Sequence, residues 1–305
     1  MVAAGPVFNM RHAPQVDAQG GWAYMTGQNG QNLIFANSTY SGTPRASTWA
    51  PDACMGPAVG YGDFGRSVTR PASYAFAVFL SSPDDWSFQH WSDRVAIMLA
   101  QADHILEASE FNATLIVAAP RGTSVAQLPA VWRLAAPHAT IVTPQAQITS
   151  KKLLYPCHTP LLHPFTRRRI VERILMAAGM DPAGASLASR KTVVFLTRGD
   201  GTSTASRAWL NQEESLAAAR ALLAERGQGE VVEIFSVRAL AADPLAALKL
   251  FSRARAIIGV HGGALYNHIW AAPDTLVLEI WPVTADGSKT RSGNLFWCVF
   301  LLLRS

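Results

Sequence analysis

The residues best able to do chemistry lie in one stretch, Ala256 to Trp281, which reads AIIGVHGGALYNHIWAAPDTLVLEIW. An apolar run, Ala256 to Val260, stops at His261-Gly262-Gly263. Ala264 to Ala272 then has the pattern of a short helix, and Thr275 to Ile280 is a second apolar run that carries Glu279. The order is strand, glycine turn, helix, strand. Glycines at such a junction let the backbone come close to a ligand, and the helix start behind them leaves N–H groups free to face an anion, so a phosphate is the expected guest. A helix terminus attracts an anionic group by roughly 0.3–1 kcal/mol, and by about 2 when partly buried. That is modest, so cationic help is expected. Arg198, directly after the apolar run Thr192 to Thr197, is placed to give it, because a guanidinium grips a phosphate with two hydrogen bonds that an ammonium cannot copy.

Glu279, at the end of its strand, is placed to accept hydrogen bonds from ribose hydroxyls. Each of these residues also has a plainer employment. His261 could fix its turn from within a core, Glu279 could sit in an ion pair, and Arg198 could brace its own loop.

The elements that must hold this stretch alternate between strand and helix. Tyr74 to Leu80 is an apolar run that predicts a buried strand. After the turn at 81–85, Trp91, Val95, Met98 and Leu99 recur at helical spacing within a helix expected from about Ser87 to Ser109. Thr114 to Ala118 predicts a strand, Val125 to Ala135 a helix and Ala139 to Val142 another strand, with Lys151 to Leu154 as a further candidate. Three prolines punctuate Tyr155 to Pro164, and a helical pattern resumes at Phe165 until Asp181-Pro182 stops it. In the second half, Thr192 to Thr197 and Val231 to Phe235 predict strands, with helices at Asn211 to Arg226 and Pro244 to Ala254. Asn211 and Glu214 have the spacing of a capping box. Residues 1–71 are rich in Gly, Pro, Ser, Asn and Thr and predict only short strands and loops. The alternation argues for an α/β fold with parallel sheets, in which ligands bind at the carboxyl ends of strands.

Composition bounds the partners. With 305 residues and 49% apolar content, one large domain or two ordinary ones can be built. The formal net charge is +5, but charged residues are 15% of the chain and the basic ones are scattered. The densest run, Arg167-Arg168-Arg169, reads as a solvated helix face rather than a nucleic-acid groove. Cys54, Cys157 and Cys298 lie far apart and form no CxxC pair, so neither a zinc knuckle nor a disulfide framework is signalled. Two Asn-x-Ser/Thr sequons begin at Asn37 and Asn112. No signal peptide is visible, and no apolar run approaches the ~20 residues of a membrane span. No Asp-x-Asp motif occurs, which favours chemistry without a metal.

His261-Gly262-Gly263-Ala264-Leu265, followed by Asn267 and by Val277-Leu278-Glu279-Ile280, resembles the His-Gly-Ala-Gly-Leu and apolar-apolar-Glu signature of glycosyltransferase family 61. Upstream, Leu196-Thr197-Arg198, Arg207 and Asn211 to Glu214 are similar to the family's two arginines and its Asn-x-x-Glu series. Gln89-His90-Trp91-Ser92-Asp93 is similar to its His-aromatic-x-Asp element. There are departures: Ala264 stands where the family has glycine, and the loop between Arg198 and Arg207 is longer than the family's. The chain also ends soon after the strand of Glu279, so a truncated or divergent C-terminal domain is expected.

The resemblance implies an inverting transferase of the two-domain GT-B type, with two doubly wound Rossmann-like domains facing a cleft. It places an acceptor-side domain at 1–165, a connecting helix at 166–182 and a nucleotide-sugar domain at 183–305. The donor would be a UDP-sugar, such as UDP-GlcNAc or a UDP-pentose, and the acceptor a glycoprotein or polysaccharide hydroxyl, in the endoplasmic reticulum or Golgi lumen. No cofactor or metal is expected.

Displacement at an anomeric carbon needs a base for the acceptor hydroxyl and groups to hold the departing diphosphate. Asp93 or His90 is the candidate base, although an Asp at a helix start is also favoured there by the helix dipole. Arg198, Arg207, His261, Gly262, Gly263, Ala264, Leu265, Asn267 and Glu279 are the candidate donor-binding residues. Two other readings compete. A glycan-binding or scaffold relative without activity would keep the fold. A dinucleotide-dependent oxidoreductase would need Gly-x-Gly-x-x-Gly, which Gly259, Gly262 and Gly263 do not supply.

Overall fold

The computed structural model describes residues 2–3, 31–41, 72–80, 88–108, 114–117, 128–137, 139–142, 147–157, 164–197, 209, 211–236, 243 and 245–280. The chain divides into two units, Met1–Arg173 and Ile174–Ser305.

The first unit is built on a six-stranded sheet. Its strands are β1 (Val2–Ala3), β2 (Gln31–Ser41), β3 (Ala72–Leu80), β4 (Thr114–Val117), β5 (Thr140–Val142) and β6 (Gln147–Cys157), in the order β1-β2-β6-β3-β4-β5. β6, β3, β4 and β5 run parallel, whereas β1 and β2 add antiparallel pairs. The fully parallel sheet expected for this half is therefore corrected to a mixed one. Its antiparallel side comes from a segment whose polar composition conceals an eleven-residue strand. β6 was legible only at Lys151 to Leu154 for the same reason. Its first half is polar and its two lysines are exposed, while Leu153, Leu154 and Tyr155 are buried.

One helix covers this sheet in three pieces. It begins at Phe88–His90, widens into a π-helical turn at Trp91–Val95 and continues as α-helix over Ala96–Ala108. Trp91, Val95, Met98 and Leu99 are buried, as their spacing predicts, and Trp91 meets Trp132 edge-on at 5.4 Å between ring centres. Trp132 belongs to the short helix Leu128–Ala135. Buried Asn32 ties β2 to the long helix through a hydrogen bond from Nδ2 to the Gln101 carbonyl (3.0 Å).

The arginine run opens the helix Pro164–Ala177, but it is not a solvated face. Only Arg168 is fully outward, paired with Glu172 one turn on. Arg167 is buried. Arg169 donates from Nε to Asp103 Oδ2 (2.8 Å) and from Nη2 to Glu107 Oε1 (2.6 Å), and Arg173 closes on the same Asp103 oxygen. Bonding to Asp103, with Glu107 behind it, raises the Arg169 pKa above its ordinary value against the opposing effect of burial. Asp103 is 4% exposed, so the run neutralises a carboxylate that the fold has taken out of water. The helix stops before Asp181-Pro182. Gly179, at φ +74°, turns the chain into the left-handed region, and Met180 N–H bonds back to the Leu175 carbonyl (2.9 Å).

The second unit is a four-stranded, wholly parallel sheet of β7 (Thr192–Leu196), β8 (Val231–Phe235), β9 (Ala254–Val260) and β10 (Leu276–Ile280), in the order β10-β9-β7-β8. Helix Gln212–Arg226 links β7 to β8, and helix Ala246–Ser252 precedes β9. Right-handed crossovers put the first of these on one face and the second on the other, because the chain moves across the sheet in opposite directions. Asn211 makes no capping bond. Its side-chain oxygen instead accepts from Trp209 Nε1 (3.1 Å), so the capping box read from the sequence is not formed.

At the amino ends of the strands, buried Arg190 donates to the carbonyls of Ala254 and Pro273 and to Thr275 Oγ1. Burial lowers its pKa from the ordinary value. This arginine is structural and lies away from the strands' carboxyl ends. Val193 to Leu196, Ile257, Phe251 and Trp270 form the core of this unit, with Phe235 edge-on to Phe251 at 5.0 Å.

Removing the shared partner of Arg169 and Arg173 tests the ion-pair cluster. Asp103→Ala is expected to lower stability by about 2 kcal/mol, less than the 3–5 of a fully buried pair because both guanidiniums are partly exposed. Urea unfolding followed by circular dichroism would measure it, and an unchanged midpoint would show the cluster to be dispensable.

Candidate functional site

The order β8-β7-β9-β10 contains one reversal. The chain leaves β7 toward β8 on one side and leaves β9 toward β10 on the other, which makes the carboxyl ends of β7 and β9 the switch point at which open parallel sheets hold their ligands. His261 and Gly262 follow β9 directly, and Thr197 follows β7. Thr197 is tied to the end of β8 by its N–H, 3.1 Å from the Phe235 carbonyl. The expected clamp Arg198 is the next residue. It lies outside the described residues, as does Arg207.

Three backbone features shape this end of the sheet. Gly259 passes so close to β7 that a Cβ on it would meet Leu196 Cβ at 2.9 Å. Gly262 has φ +151°, a region that residues with side chains rarely adopt. Ala264, which replaces the family's glycine, has φ −65° and ψ −39°, ordinary helical backbone that alanine takes without strain. The glycine this turn requires is Gly262. Gly263 is exposed.

The expected helix at Ala264 to Ala272 is corrected to a 3-10 helix, Leu265–Trp270. Its tighter turns consume the N–H groups expected to face an anion: Leu265, Tyr266 and Asn267 donate to the carbonyls of Gly262, Gly263 and Ala264. The N–H groups of Gly262, Gly263 and Ala264 are those of the turn with no hydrogen bond among the described residues. All six residues of the 3-10 helix are buried. Leu265 therefore packs its side chain inward. Asn267 Nδ2 bonds to the Ala264 carbonyl (2.9 Å), bracing the turn, while its Oδ1 is buried without a partner. His268 Nδ1 lies 2.8 Å from the Leu265 carbonyl.

His261 and Glu279 meet. Nδ1 of the imidazole is 2.9 Å from Glu279 Oε1, and the two side chains are 5% and 4% exposed. The His261 N–H also donates to the Ile280 carbonyl (2.9 Å), extending the β9–β10 ladder by one residue. Glu279, expected to accept from ribose hydroxyls, thus has a protein partner for one carboxylate oxygen.

In the first unit, Asp93 occupies the π-helical turn and is buried. Such a turn carries one residue more than an α-helical turn and is common at functional sites. Ser92 braces it by donating from Oγ to the Phe88 carbonyl (2.8 Å). His90 lies one residue before the turn in the same helix. Trp209 was not singled out by sequence. It stacks on Phe195 of β7 at 4.8 Å and 17°, two residues after Arg207. An aromatic residue just ahead of the Asn211 helix start was the available signal. No group of three or more His, Cys, Asp or Glu placed to hold a metal occurs among the described residues.

The model of the family Glycosyltransferase 61 matches residues 88–278, more than half of the chain. The chain belongs to glycosyltransferase family 61. The match opens just ahead of His90 and Asp93 and closes on β10, one residue before Glu279. No curated protein matches the chain. Membership of family 61 implies a glycosyltransferase, with a sugar donor and an acceptor. No helix among the described residues is long and apolar enough to cross a membrane.

Close packing of β9 on β7 makes a specific demand on Gly259. Gly259→Ala is expected to destabilise by roughly 1–3 kcal/mol, the usual cost of overpacking. Thermal and urea unfolding would report it, and a variant as stable as the parent would mean that β7 and β9 separate without cost.

Proposed function

We propose that this protein is an inverting, metal-independent glycosyltransferase of GT-B type. In this reading a UDP-sugar, UDP-GlcNAc or a UDP-pentose, lies at the carboxyl ends of β7 and β9, and the second unit is the donor domain. The observation that carries the reading is the strand reversal at β7 and β9, with the Gly262 turn beside it and the family match across it. Such a reversal is where open parallel sheets hold nucleotides. The backbone N–H groups of Gly262 to Ala264, with Arg198 and Arg207 from the β7 loop, would hold the diphosphate. Ala264 has ordinary helical backbone, so alanine strains nothing at this turn.

The first unit supplies the acceptor side and the base. Asp93, with His90 beside it in sequence, takes the proton of a protein or polysaccharide hydroxyl. The resulting oxygen attacks the anomeric carbon from the face opposite the diphosphate. The bond from that carbon to the diphosphate oxygen breaks, and its electron pair leaves with UDP. Anchored donors that are stronger toward the departing charge than toward the bound sugar lower this barrier. Secretory-pathway residence follows the family habit and suits the sequons at Asn37 and Asn112.

UDP at a hundredfold excess over its dissociation constant is expected to stabilise the protein by about 2.7 kcal/mol, equally with and without chelator. GDP, ADP and NAD are expected to do less, and a thermal-shift series reads all four. Asp93→Asn is expected to keep the UDP shift while lowering kcat by about 10²–10⁴. An absent shift with every nucleotide would refute the donor site, and full activity in Asp93→Asn would refute the base.

A further inference from the structure

We propose that the face of β9 and β10 bearing Leu276 and Leu278 is the docking site for residues 295–303 of the same chain, an apolar run that follows β10 and lies outside the described residues. The inference does not depend on the donor site, because Glu279 and His261 belong to the opposite face of these strands.

The two faces of the second sheet are covered unequally, and handedness is the reason. The chain moves from β8 to β9 and from β9 to β10 in one direction across the sheet, so both right-handed connections lie on one face. Helix Ala246–Ser252 and the 3-10 helix Leu265–Trp270 pack together there, and Ile257 and Val277 of that face are buried. On the other face, helix Gln212–Arg226 serves β7 and β8, and Trp209 just ahead of it stacks on Phe195 of β7. Beyond β7 the cover stops. Phe195 pairs with Ile258 of β9, which pairs with Leu278 of β10, all on this one face. Phe195 is fully buried, Ile258 is half-buried and Leu278 is 54% exposed. Leu276, two residues earlier in β10, is 67% exposed.

Such a face is not built for water. Ala256, Ile258, Leu276, Leu278 and Ile280 present no polar or charged side chain on it. β10 is the edge strand among the described residues, and it carries no lysine, proline or bulge of the kind that blunts an exposed edge. The chain that follows supplies the complement. Residues 295–303, LFWCVFLLL, are apolar throughout and too few to span a membrane. Residues 281–294, WPVTADGSKTRSGN, join them to β10 and are rich in turn formers. A connection of that length reaches up to about 46 Å. The face lies within roughly 10 Å of β10, at about 4.8 Å per strand. A segment tethered this closely meets the face at an effective concentration on the order of millimolar, an advantage that a second copy of the chain lacks.

The test uses the full chain with p-benzoylphenylalanine in place of Leu278, an exposed position with room for the larger side chain. Samples grown in 14N and 15N are mixed before irradiation, so that mass spectrometry of the cross-linked peptides tells one chain from two. The expected product joins position 278 to residues 295–303 of the same chain. A product joined to a second copy or to any other segment overturns the proposal, as does the absence of a product.

Alkylation by iodoacetamide, read on the peptide that carries Cys298, gives a second measure, because Cys298 lies within the run. Its labelling is expected to quicken by tenfold or more in the double variant Leu276→Asp, Leu278→Asp, provided circular dichroism shows that variant to be folded. An unchanged rate in the folded variant overturns the assignment of this face. If the aspartates prevent folding, the cross-link decides alone.

Discussion

Parallel pairing of β9 with both β7 and β10 is the constraint on which the second unit depends. Once three strands run the same way, each connection must cross a face of the sheet, and handedness decides which face. The crossover from β9 to β10 is made by a glycine turn and a 3-10 helix rather than a regular helix. The tighter helix spends its own N–H groups. Whatever anion the switch point takes must therefore be met by the turn before it and by side chains. The position of Glu279 beside His261 is set by the same ladder, since both residues sit at its carboxyl end. Arg190, at the other end, performs the complementary service of tying loose carbonyls to the start of the sheet.

Much of this was legible in the residues. Apolar runs at 192–197, 231–235, 256–260 and 275–280 became strands within a residue or two, because buried parallel strands are continuous in hydrophobicity. Trp91, Val95, Met98 and Leu99 showed their helix for the equivalent reason at period 3.6. What failed to show was anything set by partners. β2 and the first half of β6 are polar strands whose place in the sheet is decided by each other. The pairing of His261 with Glu279 joins residues eighteen positions apart and has no local signature, although both had been singled out as chemistry-bearing. The 3-10 character of Leu265–Trp270 has no local signature in the residues, whose apolar spacing reads as an ordinary helix.

The arginine run shows the same lesson from charge. Three consecutive cations at a helix start look solvated when only their own helix is considered. Asp103 and Glu107, some sixty residues upstream, give them a different meaning: Arg169 and Arg173 compensate a carboxylate buried by the packing of one helix against another. Basic residues recruited in this way are not available to a polyanion, and their carboxylate partners are already counted in the net charge of +5.

The π-helical turn at Trp91–Val95 bears on how such a chain can change over time. One residue in an α-helix occupies about 100° of rotation. A wide turn is equivalent to a single inserted residue, so the side chains before and after it are out of phase by about that angle relative to a continuous helix. Deleting one residue there would restore a regular helix and keep the buried face of Ala96–Ala108 intact, yet Phe88 and Gln89 would swing to a new direction. Substitution would leave the direction as it is. For this segment, length variation by one codon is a larger functional step than most changes of residue type, and it leaves the core untouched.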